Sequence, residues 1–140
     1  MNVNAQGTQT MFQQTIDFAG RLRWYLNGQL HRENGPAVVN PDGTQAWYLY
    51  GEKHRIDGPA VICPDGEQQW CLNGKLHREN GPAVICPDGE QQWCLNGKPH
   101  REDGPAVILA DGKELWFLNG IQYEPNKFNI NTQFSIKDGF

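Results

Sequence analysis

Tryptophan returns every 23 residues along this chain, at Trp24, Trp47, Trp70, Trp93 and Trp116. A unit of that length cannot enclose a core by itself, so each unit must bury its apolar surface against the next. Other columns keep the same step. Gly28, Gly51, Gly74, Gly97 and Gly120 follow the tryptophans, and His31, His54, His77 and His100 come next. Each histidine precedes an arginine (Arg32, Arg55, Arg78, Arg101), and a Gly-Pro-Ala-Val run then leads to an Asp-Gly pair. The segments Ile62–Val84 and Ile85–Val107 differ only at Leu76/Pro99 and Asn80/Asp103, the mark of a duplicated cassette.

The ends of the array degenerate. Residues 1–15 form a polar N-terminal segment, residues 16–120 carry the repeat, and residues 121–140 form a C-terminal cap. Tyr123 and Glu124 replace the His-Arg pair after Gly120. Atypical end units are what an open stack needs to shield its termini. The even spacing of Phe128, Ile130, Phe134 and Ile136 predicts one last strand.

Within a unit, two short extended runs flank Asp-Gly. In the third unit they are Pro59–Cys63 and Gln68–Leu72 around Asp65-Gly66. Asp-Gly between extended runs predicts a two-residue hairpin loop of type I′, and Asn73-Gly74 marks a second turn. Sixteen glycines and nine prolines, with no sustained 3.6-residue apolar period, exclude helix from the repeat. The expected class is all-β: an elongated array of stacked antiparallel β-hairpins with capping ends. A two-residue loop would set Val61 opposite Trp70, burying Val61, Trp70 and Leu72 together. Ile62 and Cys71 would share the other face, to be covered by the tail, by a partner or by a second copy. Pro99 stands where the neighbouring cassette has Leu76. That position therefore belongs to a connector or an edge rather than a fully paired strand. At two strands per unit, each unit advances about 10 Å.

A net charge of −4 argues against general nucleic-acid binding and against an anionic membrane surface. No segment approaches the ~20 apolar residues that span a bilayer, and no leader-like start is expected. Cys63, Cys71, Cys86 and Cys94 lie in the two near-identical cassettes, with Asn40, Tyr48, Leu109 and Phe117 at equivalent positions elsewhere. Equivalent cysteines about 10 Å apart are too far to bridge, since a disulfide needs Cα atoms within ~7 Å. The reading is four reduced filler cysteines in a cytoplasmic protein, with no metal site, because no closely spaced cysteine pair exists.

The run Trp70–Val84 (Trp-x-Leu-Asn-Gly-Lys-x-His-Arg-Glu-x-Gly-Pro-Ala-Val), followed by Asp-Gly, resembles the MORN-repeat superfamily. It is similar to the variant repeats of bacterial and phage proteins. The resemblance runs from about Gly20 to Gly120. It departs in having His-Arg and a longer connector where MORN units carry His-Gly. The resemblance implies an elongated antiparallel sheet and a scaffold, binding or dimerisation role. Bacterial or phage origin follows from the same likeness.

The His-Arg-Glu run is the one catalytic-looking element. A catalytic site needs unlike groups converging on a point, whereas a repeat lays like groups in a row. No catalytic residue, metal ligand or cofactor is therefore assigned. A structural reading has each histidine and arginine bridging to the connector or the next unit, with Asp57 and Asp103 as partners. A ligand reading makes a ladder of His31, Arg32, His54, Arg55, His77, Arg78, His100 and Arg101, suited to a nucleotide or phosphate. The principal expectation is a non-enzymatic protein-binding module, an inhibitor or adaptor of a host factor, using an exposed face that includes Ile62 and Ile85.

Overall fold

The computed structural model describes residues 2–3 and 9–125. The strand expected over Phe128–Ile136 lies outside them. Among the described residues there is no helix. The architecture is all-β, as the repeat demands.

Twelve strands form one antiparallel sheet, added nearly in chain order. It starts from Phe12–Ile16 and Leu22–Leu26, continues through paired two-residue strands, and ends with Glu114–Leu118 and Ile121–Tyr123. Each internal unit contributes two short strands, such as Val61–Ile62 and Gln68–Gln69. It then makes a second, separate hairpin, such as Cys71–Leu72 with Lys75–Leu76. In the internal units the sheet strand stops at the tryptophan. In the two end units it runs through Trp24 and Trp116 without a break.

The two turns of each unit differ from expectation in an instructive way. The type I′ turn is Asn73-Gly74, where both residues have positive φ (50° and 79°). Asp65-Gly66 is instead the end of a three-residue loop. Cys63 and Glu67 pair across it, and the Gly66 N–H donates to the Cys63 carbonyl at 3.0 Å. Only Gly66 has positive φ, and the Asp65 carboxylate accepts the Glu67 N–H at 2.9 Å. Pro64 suits this loop, because its ring fixes φ near −65° as the first central position of a type I turn requires. It does not dictate the loop: Leu109 and Lys113 pair across the same loop with Ala110 in that place.

That one extra loop residue moves the register by one. Val61 faces Gln69, not Trp70, and Ile62 faces Gln68. A slip of one residue exchanges the faces of a strand. The expected Val61–Trp70–Leu72 stripe is therefore replaced. The buried layer holds Ala60, Val61 and Cys71, while Trp70 and Leu72 are half-buried. Cys71 lies in this layer rather than beside Ile62. The second hairpins fold over the valine face: Leu30 and Tyr48 pack with Cys63 against Val38, Ala46 and Val61. Ala37, Ala60, Ala83 and Ala106 are each 0% exposed.

Pro99 sits in the second hairpin, opposite Cys94 and outside the twelve-stranded sheet. The Lys98↔Leu95 pair closes the turn, so the Cys94↔Pro99 pair is the non-hydrogen-bonded one. A missing N–H costs the ladder nothing there, in line with the expectation from sequence.

Candidate functional site

The type I′ turn of each unit points two backbone N–H groups at the preceding unit. The Asn96 N–H donates to His77 Nδ1 at 3.0 Å, and the Gly97 N–H donates to the Leu76 carbonyl at 2.8 Å. The same bond to histidine recurs from Tyr50 to His31, Asn73 to His54 and Asn119 to His100, at 2.9–3.0 Å. Each imidazole thus accepts at Nδ1, which puts its proton on Nε2. His31 is the most enclosed, 4% exposed, with Tyr50 tilted against it at 4.4 Å between ring centroids.

The arginines are equally engaged. Each guanidinium lies over the tryptophan of its own unit: Arg32 on Trp24, Arg55 on Trp47, Arg78 on Trp70 and Arg101 on Trp93, at 3.8–3.9 Å. Such a stack contributes about 0.5–2 kcal/mol depending on its exposure. Nη1 donates to the carbonyl of Pro36, Pro59, Pro82 or Pro105. The backbone N–H of Arg78 reaches the Cys94 carbonyl in the next unit, at 3.0 Å. The glycine before each proline makes room for the guanidinium. A Cβ on Gly104 would sit 2.8 Å from Arg101 Cζ, and one on Gly81 would sit 3.0 Å from Arg78 Cζ. Asp57 and Asp103 bind Arg55 and Arg101 at 3.1 Å, as the structural reading of the sequence expected. Asn34 and Asn80 occupy the equivalent places in the other two units.

The candidate residues therefore divide into two sets. The His-Arg ladder forms the joints between units and the cover of each tryptophan. Ile62 and Ile85 lie elsewhere, in a row across the sheet. The pairing sets Leu22, Val39, Gln45, Ile62, Gln68, Ile85, Gln91 and Ile108 side by side on the face opposite the valines. All are half-buried, so the row alternates apolar side chains with glutamine amides at the surface.

Beside this row runs a series of shallow grooves that sequence reasoning did not anticipate. They are floored in turn by Trp24, Trp47, Trp70 and Trp93, with volumes of about 450, 630, 830 and 690 Å³. Leu49, Leu72 and Leu95 line the last three, and Gln45 from the row borders the groove of Trp47. Their walls are connectors from two successive units, for example Arg32–Pro36 and His54–Asp57. The Trp-x-Leu spacing in every unit was the available signal, because residues two apart in extended chain share a side.

Among the described residues no three His, Cys, Asp or Glu side chains gather as a metal-binding cluster. The four cysteines are free thiols. Burial raises all four. Glu67 adds to it at Cys63 and Cys86, and the neighbouring Cys71 adds to it at Cys94, whose thiol is pushed up to about 11. They are poor nucleophiles, because the thiolate is the reactive form. Among the described residues no helix is long and apolar enough to cross a membrane. No protein-family model, curated protein or solved structure matches the chain.

Proposed function

We propose that this chain is a non-enzymatic protein-binding repeat, an adaptor or an inhibitor of another protein, and that it binds through the face shared by the isoleucine-glutamine row and the tryptophan grooves. One observation carries this reading. That face presents the same half-exposed apolar and amide groups unit after unit, while the imidazole Nδ1 atoms are taken up in joining the units. Partly exposed aliphatic and aromatic side chains, set among amides, are what the centre of a protein interface is made of. The MORN-like sequence pattern supports the same reading by resemblance.

The test is native mass spectrometry on tagged protein purified gently from its host lysate. A protein partner should co-purify at fixed stoichiometry, and the double variant Ile62→Lys/Ile85→Lys should release it while remaining folded. A partner held equally by that variant would overturn the assignment of the face.

The second reading is a nucleotide or phosphate ligand on the arginine ladder. Its support is that Arg32, Arg55, Arg78 and Arg101 all line the grooves. A small bound mass without a protein partner, lost on changing Arg78 to Gln, would favour it.

A further inference from the structure

The pitch and chemistry of the groove row together restrict what kind of chain can lie along it. We infer that the grooves bind an extended polyproline-II segment, rich in proline and carrying a basic residue in each triplet. This rests on the protein-binding reading and narrows it to one partner chemistry.

The pitch comes from the sheet. Each unit inserts two strands at about 4.8 Å, so equivalent grooves recur every ~9.6 Å. A polyproline-II helix has three residues per turn and rises about 3.1 Å per residue, so one side chain returns to the same side every ~9.3 Å. A β-strand cannot match this, because its side chains alternate and every third residue points to opposite sides. An α-helix rises about 5.4 Å per turn and meets a groove at neither one turn nor two. Over four grooves the polyproline mismatch accumulates to only about 1 Å.

The lining agrees with the pitch. Each groove is lined by a tryptophan that carries its own unit's guanidinium on one face, with a leucine beside it in three of the four grooves. Aromatic-lined grooves are the surface on which the preformed, low-entropy polyproline helix docks. The charge is layered. The guanidiniums sit low, over the tryptophan rings and bound to proline carbonyls. Carboxylates stand at the rim: the Glu33 side chain is 74% exposed, and Asp57 and Asp103, though each holds its own unit's arginine at 3.1 Å, are 87% and 89% exposed. Glu79 and Glu102 are exposed on the same connectors. A ligand that presses proline toward the floor brings its outward side chains past these carboxylates, which selects lysine or arginine there.

The test is calorimetric and tryptophan-fluorescence titration of the full chain with synthetic peptides of two, three and four Pro-Pro-Arg triplets. Controls of equal length are built from Gly-Ser-Arg and from Pro-Pro-Glu triplets. Affinity should rise with each added triplet, and both controls should bind at least about tenfold more weakly, a difference of ~1.4 kcal/mol. The variant Glu33→Lys/Glu79→Lys/Glu102→Lys should keep its thermal midpoint and lose most of the affinity. Equal binding of the Gly-Ser-Arg peptide would reduce the effect to charge alone and overturn the inference, as would no binding of any Pro-Pro-Arg peptide. If the peptides fail while a lysate partner is still released by Ile62→Lys/Ile85→Lys, this inference falls and the protein-binding reading stands.

Discussion

The smallest unit of explanation is the joint made by one histidine. Its Nδ1 accepts a backbone N–H from the turn of the following unit, so one side chain satisfies a donor on its neighbour. His77→Ala should destabilise the fold by about 1 kcal/mol, the usual net worth of such a bond. His77→Asn should recover most of the loss, because its side-chain oxygen can stand where Nδ1 does. Urea denaturation of the two variants checks both; equal loss would mean that the ring's packing, not its acceptor, matters. A second residue-scale prediction concerns Gly104. Its backbone φ is not positive, so the glycine is there for space rather than for conformation. Gly104→Ala should displace the Arg101 guanidinium from Trp93 at a cost of about 1 kcal/mol, seen as a lower urea midpoint and altered tryptophan emission. Arg and Gly were both legible as columns in the sequence. Their contact was not, because the three-residue step from Arg101 to Gly104 does not say that the guanidinium folds back between Gly104 and Trp93.

At the scale of the element, the two turns of a unit do different work. The three-residue loop ending in Asp-Gly sets the register of the main sheet, and the Asn-Gly turn sets the register within the second hairpin. Position 76 lies outside the main sheet, so Leu76→Pro should change stability by no more than about 1 kcal/mol. Val84→Pro breaks the central ladder and should cost ~3 kcal/mol or more. Thermal melts of the two variants separate these cases, and a large loss at position 76 would contradict the hairpin pairing. The presence of hairpins was readable from Asp-Gly and Asn-Gly. The register was not, since a two-residue and a three-residue loop can share the same Asp-Gly, and the three-residue loop forms with Pro64 and with Ala110 alike.

For the molecule as a whole, stability is a sum of units and the interfaces between them. Removing the cassette Ile62–Val84 joins Val61 to Ile85 and aligns His54 with the Asn96 turn. The shortened chain should fold with the same β spectrum and a lower midpoint; loss of cooperative unfolding would overturn the nearest-neighbour picture. The buried thiols add a pH term. Cys94 titrates near 11 in the fold against an ordinary 9.0. The unfolded chain therefore releases the proton first as pH rises. The stabilisation from this thiol is complete below pH 9.0 and declines between 9.0 and about 11. Urea midpoints at pH 8 and pH 10.5 should show that decline, and Cys94→Ala should show less of it.

The sequence by itself determined the period, the all-β class and the stacking, because a 23-residue unit without helical patterning has no other way to bury its valines. It also identified the histidines, arginines and isoleucines as the columns to explain. Only the tertiary structure decided which columns are joints and which are surface. The one-residue register takes Trp70 and Leu72 out of the valine layer and brings Cys71 into it, and a second hairpin covers one face and leaves the other open. The first turns on one residue of loop length, which the Asp-Gly pair leaves open, and the second on packing between hairpins, which no single unit's pattern displays.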